Sequence, residues 1–328
     1  MSSRTQSKPA DFIVPLYMNG LDGRMLRMPP PKGKTQEIMY IYGHHSSQER
    51  NFGVAQFLNQ YGGVTVPDLP GFGGMDPFYK IGEQPSLDNM ADYLASFIKL
   101  RYKRQKFHLV GFSLGFMVVT RMLQKHPELN KQVDLLISFA GFSHKDDFKY
   151  KKRIYYTFRA GTWFFSRRIP AAFLKYIIFR KVFIKLAYAA LEPLLVDPQN
   201  TKVRNIDKEE RKKRINFEVY LWQCNDPRTY MSIAHTMFTL DLTPTRVNHK
   251  VYHISVDGDR YFDNIKVEEH MRLIFNDFKE VHAKPPTHAP SVIATAAEAA
   301  PYVPEYLRRI LRERDKKQQN KTKKQGKI

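Results

Sequence analysis

The sequence predicts an α/β protein: a mostly parallel central sheet flanked by helices, with a helical cap inserted in the middle of the chain. Short apolar runs alternate with amphipathic helical segments from residue 36 to about 147, the order expected when parallel strands are joined by crossover helices. The alternation then lapses, and residues 148–246 hold helix-length stretches rich in aromatic and basic residues without a clear strand. Strand and helix patterns return from residue 247, so the sheet is expected to be completed after the insertion. The expected division is a first core part at 1–147, a cap at 148–246, a second core part at 247–306 and a basic, disordered tail at 307–328.

Each element has its own signal. "FIVPLYMNG" and "LDGRMLRMPPP" read as two strands joined at Asn19-Gly20, a dipeptide suited to the positive φ angles of a tight hairpin. "EIMYIYG" is a short apolar strand closed by glycine, "FGVAQFLNQYG" has helical spacing, and "GVTVPDLPG" is strand-like. "LDNMADYLASFIKLRYK" then repeats its apolar residues at helical intervals before the strand "KFHLVGF". Beyond the cap, "KVYHISVDGD" predicts a strand, "NIKVEEHMRLIFNDF" a helix, "KEVHAKP" a short strand and "SVIATAAEAAPYVPEYLRRILRER" a closing helix.

With 328 residues, 42% hydrophobic and 13% aromatic, the chain has ample apolar surface for a large core, which excludes wholesale disorder. One cysteine, Cys224, excludes an intramolecular disulfide and any multi-thiolate zinc site. The opening "MSSRTQSKPADF" lacks the apolar run of a secretory leader, and no stretch reads as a spanning helix. A cytoplasmic location, peripheral at the inner membrane surface, is the expectation. A formal net charge of +21 favours anionic partners. The basic, aromatic cap reads first as a lid whose apolar face covers a cleft while its bases are solvated, and second as a surface for an anionic membrane. The tail suits anion binding or only solubility, and a nucleic-acid role has only charge behind it.

The chemistry concentrates at Gly111-Phe112-Ser113-Leu114-Gly115, where an apolar strand passes abruptly into a helical pattern. Such a turn forces the serine into strained backbone and exposes its hydroxyl, while the flanking glycines let neighbouring backbone pass. By itself the pattern is frequent and also suits an ordinary turn.

Context narrows it. Gly43-His44-His45 ends an earlier strand and Pro67-Asp68-Leu69-Pro70-Gly71-Phe72-Gly73 lies between, and with the serine turn this order resembles the α/β-hydrolase superfamily over residues 11–147 and 247–312. The resemblance implies a serine, acid, histidine triad in that chain order. It places the nucleophile at Ser113, the acid at Asp259 past "VYHISV", and the base at His288 before the closing helix. Asp257, Asp263 and Asp146 are alternatives for the acid, and His282 and His270 for the base. His288 would take the Ser113 proton, Asp259 would hold the imidazole tautomer, and the backbone N–H groups of His45 and Leu114 would form an oxyanion hole.

Three residues depart from the family pattern: Phe116 where a small residue is usual, His44 where the oxyanion loop usually has glycine, and Val256 where a glycine usually precedes the acid. No cofactor is implied, and no ligand-spaced cluster accompanies His44 to suggest a metal. The expected reaction is hydrolysis of a lipophilic carboxylic ester. The same residues could serve an amide, thioester or peptide bond, and the altered oxyanion loop leaves open a catalytically silent fold that binds membranes or partners.

Overall fold

The computed structural model describes residues 7–195, 207–285, 287–290 and 295–314, with side chains left aside at 191–195. Its strands are β1 (Ile13–Met18), β2 (Leu21–Met28), β3 (Glu37–Ile41), β4 (Gly63–Pro67), β5 (Phe107–Phe112), β6 (Val133–Phe139), β7 (Val247–Val256) and β8 (Phe275–Ala283). They form one sheet in the order β1-β2-β4-β3-β5-β6-β7-β8. The β1–β2 and β2–β4 pairs are antiparallel and the remaining pairs parallel. The hairpin turns at Asn19 and Gly20 with φ of 54° and 79°, the left-handed pair its sequence suits.

Every residue of β3 and β4 is buried, as continuous apolar strands covered on both faces should be. Helices α1 (Phe52–Asn59), α2 (Leu87–Tyr102) and α3 (Leu114–Lys125) supply the crossovers. Ser86 caps α2 by accepting the Asn89 N–H at 3.1 Å. Between β6 and β7 the chain forms α4 (Lys152–Phe165), α5 (Arg168–Phe173), a π turn over Leu174–Ile178, α6 (Lys181–Leu195), α7 (Lys208–Cys224) and α8 (Pro227–Met237). These are the helices of the inserted segment.

The C-terminal part departs from the sequence pattern in three places. The helix expected through residue 278 ends at Ile274, as α9 (Asn264–Ile274), and passes straight into β8. Phe275 and Phe278 bury on the sheet, so strand pairing with β7 overrides the helical spacing continuing through "IFNDF". The closing helix is broken into α10 (Ala296–Ala299), a 3-10 turn at Ala300–Tyr302 and α11 over 305–314. Pro301 and Pro304 explain the breaks, because proline lacks the N–H that a helix interior needs. Finally, the tail boundary expected at 307 falls inside α11, where Leu307 and Leu311 are buried and Arg314 Nη1 donates to Asp134 Oδ2 at 2.8 Å. The rest of the expected tail, 315–328, lies outside the described residues.

Candidate active site

The site gathers where the parallel strands end, the edge at which open α/β sheets place their ligands. β5 leads into Ser113, whose φ of 50° and ψ of −116° lie far from the usual basins of a non-glycine residue. That conformation costs about 1–3 kcal/mol. Backbone bonds hold it: Ser113 N donates to Phe139 O at 2.9 Å, and Phe116 N and Met117 N donate to Ser113 O at 3.0 and 3.3 Å. Both flanking glycines are sterically required. A Cβ at Gly111 would lie 2.6 Å from Phe116 Cα, and one at Gly115 would lie 2.2 Å from Ile41 O.

Phe116 is accommodated by a compensating glycine. Its ring is fully buried and packs 5.8 Å from the Phe275 ring. A Cβ at Gly141 would come within 2.6 Å of it. The bulk on α3 is matched by an absent side chain after β6, and Phe116 is a core residue rather than part of the cavity wall.

Asp259 and His288 come together. Asp259 Oδ2 accepts from His288 Nδ1 at 2.6 Å, with side-chain exposures of 2% and 12%. Asp259 Oδ1 accepts the N–H groups of Tyr261 and Phe262 at 2.8 and 3.3 Å. Burial pushes the Asp259 carboxyl up, but the His288 bond and charge and these two N–H groups outweigh it, holding the carboxyl below its usual range. The His288 loop is pinned by Tyr302, whose hydroxyl bonds to Thr287 Oγ1 at 2.6 Å and Ala289 O at 2.9 Å. Rings of Phe112, Tyr261 and Phe262 surround the imidazole at 5.2 to 5.5 Å.

Ser113 and His288 line one cavity of about 1260 Å³. No hydrogen bond within 3.5 Å joins them among the described residues, an open geometry common in unliganded sites.

The other candidate acids and bases are engaged elsewhere. Asp263 caps α9, Asp257 meets His282 at 3.3 Å on the surface, and Asp146 is exposed beside His144. His270 pairs with Asp147, a residue the sequence did not single out, at 2.5 Å. Its neighbour Asp146 carries the same residue type, and nothing in the local pattern separates the two.

The loop after β3 turns at His45, whose φ is 51°, rather than at His44. Gly43 is needed beneath it, because a Cβ there would lie 2.8 Å from the Phe112 ring and 3.3 Å from Ser113 Cβ. His44 Nε2 bonds to Tyr230 O at 3.1 Å, and its ring packs 3.8 Å from that of Tyr230. His45 Nε2 bonds to Glu218 Oε2 at 2.9 Å and its ring lies 4.4 Å from Trp222. Tyr188 on α6 donates to the same carboxylate oxygen at 2.9 Å. Glu218 and Trp222 on α7 therefore clasp the loop after β3 from the inserted helices. No sequence signal marked them, since they sit in a helix with no apolar stripe.

The Pro-Asp-Leu-Pro-Gly-Phe-Gly turn is a docking element. Asp68 is fully buried, accepting from Tyr42 Oη at 2.5 Å and Arg24 Nε at 2.8 Å, and Arg24 in turn pairs with Glu49 at 2.5 Å. Burial pushes Asp68 up to about 7, against the pull of Arg24. From this anchor the turn grips the α7–α8 junction: Gly73 N donates to Asn225 Oδ1, Gly74 N to Cys224 O, and Asp226 N to Gly71 O.

The family described as alpha/beta hydrolase fold matches residues 42–172. An esterase from Thermogutta terrifontis superimposes with a TM-score of 0.59 at 17% identity, covering 92% of this chain and 99% of its own. A deformylase from Pseudomonas putida S16 gives 0.59 at 16% identity, over 84% of this chain and 94% of its own. The chain has the α/β-hydrolase fold. No curated protein matches the sequence. Within that fold the inserted helices α4 to α8 stand between β6 and β7 and contribute Tyr188, Glu218, Trp222 and Tyr230 to the cavity wall.

Proposed function

We propose that the protein is a serine hydrolase that cleaves a lipophilic carboxylic ester through an acyl-enzyme. The observation that carries this reading is the Asp259–His288 pair at 2.6 Å, its imidazole lining the same cavity as the strained Ser113. Ser113 Oγ attacks the acyl carbon and its proton passes to His288 Nε2. The imidazolium, steadied by ionised Asp259, returns that proton to the departing alcohol. Water then attacks the acyl-enzyme by the same route, releasing the acid and regenerating the serine. The N–H of Leu114, at the start of α3, and that of His45 are assigned to the developing oxyanion, where helix-end potential favours negative charge.

The cavity supports a lipophilic substrate by its size and by its wall, which includes Phe112, Phe139, Phe148, Trp222, Met237 and Phe262. A fluorophosphonate probe tests the reaction class: it labels the wild type and not Ser113→Ala, and absence of label on folded wild type removes the proposal. Nitrophenyl esters of increasing chain length test the substrate class. Rising kcat/KM beyond short acyl chains is expected, and a decline with length refutes the lipophilic assignment without touching the serine mechanism.

A further inference from the structure

We propose that α4, α5 and α6 form a docking face for an anionic lipid bilayer. Among the described residues, thirteen of the twenty-one exposed large apolar side chains fall between Ile154 and Leu186. Ile169 is 82% exposed and Trp163 50%, and α4 has no buried residue at all. Ordinary surfaces scatter such residues singly, so this density marks an interaction face. The charge along it is strongly positive: residues 148–195 contain eleven Lys and Arg against Glu192 alone. No described helix is long and apolar enough to cross a membrane.

That combination selects the occupant. A second copy docking through the same face would bring two sets of eleven bases together, which like-charge repulsion opposes. Nucleic acid would use the bases and stack on aromatics, but Ile154, Ile169, Ile177, Val182 and Leu186 offer no stacking surface. Aliphatic and aromatic side chains entering the acyl boundary, with Lys and Arg at anionic headgroups, account for both features. Trp163 carries Arg167 over its ring at 4.6 Å and Tyr176 carries Lys175 at 5.8 Å, pairings suited to the headgroup layer.

The face also adjoins the cavity wall. Phe158 packs 5.4 Å from Tyr150 and Phe179 packs 4.6 Å from Trp222, and both partners line the cavity. A bilayer bound here lies one ring away from the space above Ser113.

Flotation of the full chain with vesicles tests the proposal independently of catalysis. With about one-third phosphatidylglycerol in phosphatidylcholine, the protein is expected to float at least about tenfold more than with phosphatidylcholine alone, and high salt should release it. Replacing Arg167, Arg168 and Lys175 together by Glu should abolish flotation, as should Ile169→Ser with Phe173→Ser. A readout on otherwise unaltered side chains guards against misfolded variants. In a Trp222→Phe background, Trp163 emission should shift to the blue and be quenched by bromine-labelled acyl chains. Equal flotation with neutral and anionic vesicles, flotation with neither, or self-association that requires the same side chains overturns the proposal.

Discussion

Two histidine–aspartate pairs with buried carboxylates stand at the strand-end edge of the sheet, and their difference shows what makes such a pair a candidate for chemistry. His288–Asp259 and His270–Asp147 measure 2.6 and 2.5 Å, with carboxylates 2% and 0% exposed. Each carboxylate also accepts two backbone N–H groups, from Tyr261 and Phe262 in one pair and from Ser143 and His144 in the other. By pair geometry alone they cannot be told apart. His288, however, stands in the wall of the Ser113 cavity, while His270 lies on α9 with its ring 4.2 Å from that of His144. Neither His270 nor Asp147 lines that cavity. A buried carboxylate–imidazole bond is a structural clamp by default; its second nitrogen and what that nitrogen faces decide whether it can also move a proton.

The sharpest way to break the contrast is at the proposed nucleophile. Ser113→Ala should lower ester turnover by roughly 10⁶-fold while leaving both pairs and the unfolding midpoint intact. Substantial residual turnover would mean that the cavity is not where the chemistry occurs.

Next comes Asp259→Asn. An amide nitrogen facing His288 Nδ1 favours the tautomer whose Nε2 carries hydrogen and cannot accept the serine proton, so kcat should fall by about 10⁴-fold. Its match is Asp147→Asn, which should leave kcat within about twofold. It should destabilise the fold by about 1–3 kcal/mol, because an amide nitrogen then faces donors at Ser143, His144 or His270. Activity measured beside urea unfolding checks the pair of predictions, and equal losses of kcat would dissolve the distinction.

A third histidine extends the comparison to a ring with no direct carboxylate partner. His253 on β7 is 1% exposed and bonds to Ser138 Oγ at 2.8 Å. Burial pushes it down to about 4, against the pull of Asp259. The unfolded chain, with histidine near 6.5, therefore takes up the proton first as pH falls. Its contribution is full above about 6.5, and roughly 3 kcal/mol is lost as pH drops towards 4. Urea midpoints across that window should slope more steeply for wild type than for His253→Gln; parallel slopes would refute the buried neutral assignment.

How much was legible in advance follows from which interactions are local. Strand and helix alternation, the hairpin at Asn19-Gly20 and the serine turn are written in short-range patterns, because backbone sterics and apolar periodicity act over a few residues. The β7 strand was legible for the same reason, whereas Asp259 was singled out by the family resemblance and not by a local pattern. The α9–β8 junction was not, since Phe275 and Phe278 follow a helical period and become strand only by burying against β7. The breaks at Pro301 and Pro304 could have been read from proline alone.

The sequence by itself determined the alternation of strands and crossover helices along the chain, the strained turn at Ser113 and the residue types available beyond the later strands. Tertiary structure alone decided that Asp147 takes His270, that Gly141 makes room for Phe116, and that Glu218 reaches His45, while the contact of His288 with Asp259 is one the family resemblance implies. The physical reason is separation along the chain: partners 25 to 173 residues apart meet through the packing of whole elements, which local propensity does not encode.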